Sequence, residues 1–150
     1  MSGESTLRVL LCRLPACVIA LPLEHVIETM RPLAIEPLSA TAPAFVKGVS
    51  VIRGLPVPVV DTARLLGAAA ATGPTPSMGR RFVTVRSGGR TVALAFDEVI
   101  GIRTLPSDTV RELPPLLQRA ESDAVTAIGA LDDQLLIVLR TASIVPEDLA

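Results

Sequence analysis

The residues that could carry out chemistry are few and far apart in this sequence. It contains one histidine, His25, and two cysteines, Cys12 and Cys17. Zinc sites are built from clustered Cys, His and carboxylate ligands, and neither cysteine has the paired spacing of such a site. An acyl-transfer triad would have to use His25 as its base, and no Gly-x-Ser-x-Gly sequence is present to position a serine. We therefore expect neither a metal site nor a catalytic triad.

Pairs of adjacent acidic residues are the next place to look for catalysis. Two such pairs lie within predicted strands or turns, Asp97-Glu98 and Asp132-Asp133. Neighbouring residues of a strand point to opposite faces, so such a pair does not present two carboxylates to one substrate. Asp132-Asp133 is more simply the two-residue turn of a hairpin. Gly88-Gly89 lacks the Lys-Ser/Thr that follows in a phosphate loop. We expect no enzymatic activity and no cofactor.

Arg53 is the polar residue that stands out from its surroundings. It lies in the segment GVSVIRGLPVPVVDTARLLG, residues 48–67, where most of its neighbours are apolar. A guanidinium among apolar side chains is typical of interface hot spots. The alternative is a solvated arginine at a turn, whose ion pairs contribute only ~0–1 kcal/mol. The segment favours recognition over catalysis.

The elements that must position Arg53 can be predicted from the same segment. Strands at residues 48–53 and 57–60 form a hairpin with Arg53 at its turn. A short helix follows. Asp61 is a good N-cap because its carboxylate accepts hydrogen bonds from the first amides of a helix. Gly67 is a good C-terminal stop because glycine adopts positive φ at little cost.

The rest of the chain also predicts short strands. Three further hairpins are expected, at residues 7–14 with 17–21, 82–86 with 91–96, and 128–131 with 134–139. Residues 23–30 fit either a short helix or a strand. Strand, turn, strand and short helix occur at residues 48–66 and again at 128–145, which predicts two small β barrels. Because a domain of about 60 residues buries only ~60% of its surface, we expect the barrels to share an apolar seam.

Composition excludes several classes of function. The chain has 150 residues, of which 49% are hydrophobic and 19% charged, so it supports a real core. It has no Trp, no Tyr and a net charge of −1, which argues against nucleic-acid binding by stacking or by a basic surface. Cys12 and Cys17 are expected to be buried thiols rather than a disulfide.

No apolar run approaches the ~18–20 residues needed to span a bilayer. Residues 14–17 look superficially like a lipoprotein cleavage box, but Arg8 and Arg13 interrupt the apolar stretch that a secretory signal requires. We therefore expect a cytoplasmic protein without direct membrane contact.

The chain also resembles a known family. Eight of its residues resemble a signature of the CheW-like domains, which are adapter modules of bacterial chemosensory arrays. They are Gly48, Arg53, Gly54, Pro58, Val59, Asp61, Leu65 and Gly67. Similarity continues in the family's order at residues 20–28, 43–48, 92–101 and 128–139, and covers roughly residues 7–145. Several positions differ. Val51-Ile52 stands where the family usually has Asn-Leu, Thr62 where it has Leu, and Arg140-Thr141 where an acidic residue often opens the last helix.

This resemblance implies a mainly β fold of two intertwined five-stranded SH3-like β barrels with short helices, together forming a single domain over residues 1–150. It implies a non-catalytic adapter that couples the cytoplasmic tip of methyl-accepting chemoreceptors to the regulatory domain of a CheA-type histidine kinase. The runner-up is a divergent paralogue that binds receptors but not the kinase. A small β-barrel nucleic-acid-binding module is a third reading.

The resemblance also implies a receptor-binding set. Its members are Val26, Glu28, Gly48, Arg53, Val92, Val99 and Ile102. The last three are assigned to the second barrel. For the valines and Ile102 the competing account is core packing. For Glu28 it is an ordinary solvated charge, because burial without a partner would be costly.

Overall fold

The structure is a computed structural model that describes residues 6–38, 43–67, 79–106, 110–112, 125–131 and 134–141. Within these ranges the chain forms eleven strands, one α-helix and one 3₁₀ turn. The predicted mainly β class with short helices is confirmed.

Six strands form one sheet, in the order β8-β1-β2-β11-β10-β9. They are β1 Thr6–Arg13, β2 Val18–Pro22, β8 Glu98–Pro106, β9 Val110–Glu112, β10 Val125–Leu131 and β11 Gln134–Leu139. All neighbours are antiparallel except β2 and β11, which are parallel. The sixth strand is β9, three residues that pair with the edge of β10.

Five strands form the other sheet, in the order β3-β6-β7-β5-β4. They are β3 Val26–Met30, β4 Val46–Ile52, β5 Leu55–Asp61, β6 Arg81–Ser87 and β7 Arg90–Phe96, with helix α1 Thr62–Leu66 after β5. Asp61 Oδ1 accepts a hydrogen bond from the Arg64 amide at 3.2 Å, and Gly67 ends the helix with a φ of 82°. Both predicted helix boundaries are confirmed.

The two sheets are intertwined along the chain. The six-stranded sheet contains the first two and the last four strands, and the five-stranded sheet contains the strands between them. The assignment of Val92 to the second barrel is therefore wrong. It lies on β7, which pairs with β5 in the same sheet as Arg53. The sequence repeat could not show this, because β1 and β2 pair with strands about 90 or more residues further along the chain.

The three further hairpins are also confirmed. Gly88 and Gly89 have φ values of 60° and 86°, the conformation that a two-residue hairpin turn requires. The ambiguous residues 23–30 form the 3₁₀ turn Leu23–His25 followed by β3. Burial alternates along β3, as expected for a strand. The short helix predicted to end the chain's last repeat, at residues 141–145, lies outside the described residues after Thr141, and so does the Asp132-Asp133 turn.

Among the described residues, three apolar clusters make up the core. One lies within the six-stranded sheet, around Val9 and Leu136. A second lies within the five-stranded sheet, around Phe82 and Val59. The third and largest joins side chains of both sheets, from Ile19 and Leu139 on one to Leu94 and Phe96 on the other. This third cluster is the predicted shared seam.

The five-stranded sheet closes on itself. Its two edges are β3 and β4. The chain that leaves β3 crosses to β4, where Glu36 and Val49 exchange two backbone hydrogen bonds of 2.8 Å. Ser50 Oγ on β4 donates to the Ala34 carbonyl oxygen at 2.7 Å. Because the segment that continues from β3 pairs with β4, these two edge strands are brought together.

Candidate functional site

The turn between β4 and β5 presents Arg53 at its tip. Only Arg53 and Gly54 separate the paired residues Ile52 and Leu55. The φ values of Arg53 and Gly54 are 53° and 78°. Arg53 is the only residue other than glycine with a positive φ in the described part of the chain. Such a backbone costs about 1–3 kcal/mol when the residue is not glycine. The fold therefore holds a strained arginine at this position, which is a pattern found at functional sites.

Arg53 forms a bidentate salt bridge with Glu28. Its Nε and Nη2 atoms donate to the two carboxylate oxygens, each at 2.8 Å. These hydrogen bonds and the guanidinium charge lower the pKa of Glu28, and the pKa of Arg53 is raised in return. The Arg53 side chain is 77% exposed and that of Glu28 is 27% exposed. The two residues are 25 positions apart and meet because the sheet closes.

Exposed apolar side chains accompany this salt bridge along the chain. Val51 and Leu55, which flank the turn, are 68% and 65% exposed, and Ile27 beside Glu28 is also exposed. We call Ile27, Glu28, Val51, Arg53 and Leu55 the Arg53 surface. A fixed guanidinium together with exposed aliphatic groups has the composition of a protein-interaction site.

Gly48 contributes to this site through the backbone. It is buried on β4 with a φ of 151°. A Cβ atom here would overlap the carbonyl oxygen of Glu36 and lie 2.7 Å from Cγ2 of Ile35. Any side chain would therefore push away the segment that closes the sheet. Gly48 shapes the site by allowing the segment of Ile35 and Glu36 to approach β4, rather than by offering a side chain to a partner.

The remaining predicted contact residues fall into three environments. Val92 is fully buried in the seam between the sheets, so core packing accounts for it. Val26 and Val99 are half-buried and pack against the same seam. Ile102 is 60% exposed on β8, which lies at one edge of the six-stranded sheet. The structure brings Glu28 and Arg53 into contact, while Ile102 lies on the other sheet.

Sequence reasoning missed an arginine-lined cleft of about 990 Å³. Its charged residues are Arg13, Arg31, Arg80, Arg81, Asp97 and Glu98. The adjacent arginines at the start of β6 were the available signal. The others come from three different elements, so no local pattern links them. Val99 lines the same cleft.

The two cysteines and the histidine, which are the side chains most able to carry out chemistry, are buried or held by structural contacts. Cys12 and Cys17 are free and buried, and burial raises the pKa of these thiols to about 12 and about 11. Both therefore stay protonated at neutral pH. Thr141 Oγ1 lies 2.7 Å from Nδ1 of His25, which ties the 3₁₀ turn to the end of β11. Among the described residues, no three His, Cys, Asp or Glu side chains are grouped to hold a metal ion. The described helices include none long and apolar enough to cross a membrane.

Comparisons with known proteins agree on one family. A family model of the CheW-like domain matches residues 8–148. The "Chemotaxis protein CheW" of Klebsiella aerogenes is 28% identical over 100 residues, which cover 67% of this chain and 58% of that protein. The "Protein FrzA" of Myxococcus xanthus is 36% identical over 100 residues, covering 66% of this chain and 58% of the relative. The matched region thus spans somewhat over half the length of these relatives.

A solved structure shows the same fold. The scaffolding protein TtCheW from Thermoanaerobacter tengcongensis superposes with a TM-score of 0.76, over 93% of this chain and 92% of that one. The two sequences are 20% identical, so this likeness concerns the fold alone.

Proposed function

The chain belongs to the CheW-like domain family, and from this premise we propose that it is a non-catalytic adapter that couples chemoreceptors to a CheA-type histidine kinase in a bacterial chemosensory array. The observation that carries the proposal is the bidentate pair between Arg53 and Glu28, fixed across the closed edges of the five-stranded sheet. The name of the Klebsiella aerogenes relative, "Chemotaxis protein CheW", places that relative in chemotaxis.

The receptor-binding surface would consist of the Arg53 surface together with Val26, Val99 and Ile102. Their combination of aliphatic groups and one fixed ion pair suits the apolar face of a helical receptor tip, which docks through regularly spaced apolar anchors. Gly48 would act through the closure of the sheet. The kinase's regulatory domain would contact a different surface, so that both partners are held at once. Weak individual contacts are sufficient, because an array multiplies them.

The proposal extends to the setting of the protein. Residues 1–150 would act as one domain with two barrel subdomains. It would work in the cytoplasm at receptor clusters, without a cofactor, nucleic acid or direct membrane contact. The high pKa of both thiols supports a non-catalytic role, because it removes the two intrinsically reactive side chains.

A second candidate function is that of a divergent paralogue, which binds receptors but not the kinase. The residue at position 51, Val51, favours this alternative. An apolar side chain that is 68% exposed stands here at the family's usual Asn position, so the surface presented beside Arg53 is changed.

Co-sedimentation tests both functions. The full chain is mixed with receptor cytoplasmic fragments, with kinase, and with both, and the pelleted fraction of each protein is measured. We expect all three to pellet together and kinase activity to become receptor-dependent. Pelleting with receptor but not with kinase would select the paralogue. Binding to neither partner would exclude both functions.

A further inference from the structure

The arginine-lined cleft lies where several elements end. Arg13 ends β1, Arg31 follows β3, and Arg80 with Arg81 opens β6. Asp97 and Glu98, between β7 and β8, form the acidic part of its wall. The cleft therefore combines four guanidinium groups with two carboxylates.

Only part of this positive charge is compensated internally. Arg13 Nε donates to Glu98 Oε1 at 3.1 Å, and its Nη1 to Gln134 Oε1 at 3.3 Å. Within the described ranges, no salt bridge involves Arg31, Arg80 or Arg81. All three are exposed.

The strand register also brings like charges together. Met30 on β3 pairs with Phe82 on β6. Arg31 comes directly after Met30 and Arg81 directly before Phe82, so the two arginines occupy the next opposed positions of an antiparallel pair. Like charges in such positions are destabilising. A site that assembles uncompensated guanidinium groups around an open cleft is suited to an anionic partner.

We propose that this cleft binds an acidic segment of a partner protein, with carboxylates placed between Arg31, Arg80 and Arg81. Guanidinium groups pair with carboxylates through two parallel hydrogen bonds, which gives both strength and orientation. Pro32 and Val99 supply apolar wall for the stems of the partner's side chains.

Features of the cleft favour a protein over a nucleic acid. No aromatic side chain lines the described cleft, so unpaired bases have nothing to stack on. The positive charge is confined to this one cleft of a chain whose net charge is −1, which suits a short acidic segment with a few carboxylates better than an extended phosphate backbone. This inference goes beyond the adapter proposal and does not depend on it, because it rests on the charges of the cleft alone.

A fluorescent decaglutamate peptide tests the inference. Its dissociation constant for the full chain is measured by anisotropy at low and at high salt. We expect Arg80→Glu/Arg81→Glu to weaken binding by about tenfold or more, because charge-assisted hydrogen bonds are lost and repulsion replaces them. Binding by the unmodified chain should weaken with salt, since exposed charges are screened within about 8–10 Å.

The matched control is Arg86→Glu/Arg103→Glu, which reverses the charge of two exposed arginines elsewhere. It has the same net charge as the Arg80→Glu/Arg81→Glu variant. It should bind decaglutamate nearly as well as the unmodified chain. Thermal unfolding of both double variants verifies that they fold. A decalysine peptide should gain affinity only for the Arg80→Glu/Arg81→Glu variant.

Three results would overturn the proposal. The first is no binding of decaglutamate by the unmodified chain. The second is equal loss in the control variant, which would indicate a general charge effect. The third is binding of a deoxythymidine decamer as tightly as decaglutamate, which would indicate attraction to any polyanion.

Discussion

The Arg53 surface and the arginine-lined cleft use the same side chain in opposite electrostatic states. Glu28 occupies the Nε/Nη2 edge of the Arg53 guanidinium and balances its charge, so that surface is locally neutral. Arg31, Arg80 and Arg81 have no such carboxylate in the described part of the chain. If both regions bind partners as proposed, we expect recognition at the first to depend mainly on shape and apolar contact, and at the second on charge.

The difference follows from where each region lies in the five-stranded sheet. Closure brings the two edge strands together and delivers Glu28 to Arg53. Arg31, Arg80 and Arg81 lie where β3 has ended and β6 begins, beyond the residues that pair these two strands. One sheet thus builds a fixed ion pair where its edges meet and leaves open charge where its strands end.

The largest effect is expected when the closure itself is broken by Gly48→Ala. The new methyl group would overlap the Glu36 carbonyl oxygen, at a φ of 151° that already disfavours side chains. We expect the free energy of unfolding to fall by about 3 kcal/mol or more. Urea denaturation measures it. Loss of the closure would also separate Arg53 from Glu28 and remove the contrast between the two regions.

Gly101→Ala is a matched control for this variant. Gly101 has a similar φ of 147°, and nothing lies within 4 Å of a Cβ built there. It should lose only the backbone cost of about 1–2 kcal/mol. Equal losses in the two variants would show that the close approach to Glu36 is unimportant for stability.

A large effect on assembly, with little on stability, is expected from Arg53→Glu. The substitution places a second carboxylate against Glu28 and removes the fixed guanidinium from the Arg53 surface. Receptor co-sedimentation should weaken by about tenfold or more if Arg53 is a hot spot. Thermal unfolding should change little, because exposed ion pairs contribute little to stability. Arg86→Glu is the control, and normal assembly of Arg53→Glu would make Arg53 a solvated turn residue.

The sequence predicted what is encoded by near neighbours. Asp61 and Gly67 bound the helix, and Gly88-Gly89 forms the hairpin turn, because each acts on residues within one turn of itself. The pairing of Arg53 with Glu28 could not be predicted, since it depends on the crossing of residues 31–36 to the far edge of the sheet. The positions of Val92 and of the cleft arginines depend on other long-range pairings, those of β5 with β7 and of β3 with β6.

A smaller effect is expected from pH. The hydrogen bonds from Arg53, together with its charge, lower the pKa of Glu28 below its value in the unfolded chain. The stability that this pair contributes is therefore present above the unfolded pKa of about 4.3, and is lost as pH falls through the lower folded pKa. The difference in melting temperature between the unmodified chain and Glu28→Gln should be constant from pH 7 to about 5 and should close below about 4.3.

Glu24→Gln is the control for this titration. Glu24 is exposed in the 3₁₀ turn and forms no salt bridge with any described residue. Its melting temperature should follow that of the unmodified chain throughout. If the difference in melting temperature between the unmodified chain and Glu28→Gln grew on acidification, it would contradict the pairing of Glu28 with Arg53.

The smallest effect on stability is expected from Val51→Asn, which introduces the Asn that the CheW-like signature usually has near the turn of Arg53 and Gly54. Val51 is 68% exposed, so the unfolding free energy should change by no more than about 0.5 kcal/mol.

Kinase co-sedimentation shows whether Val51 affects binding of the kinase. If binding is absent in the unmodified chain and appears in Val51→Asn but not in Leu55→Asn, the exposed valine is what excludes the kinase. If the unmodified chain already binds the kinase, Val51 is tolerated there. Neither substitution should alter decaglutamate binding, because neither residue lines the cleft.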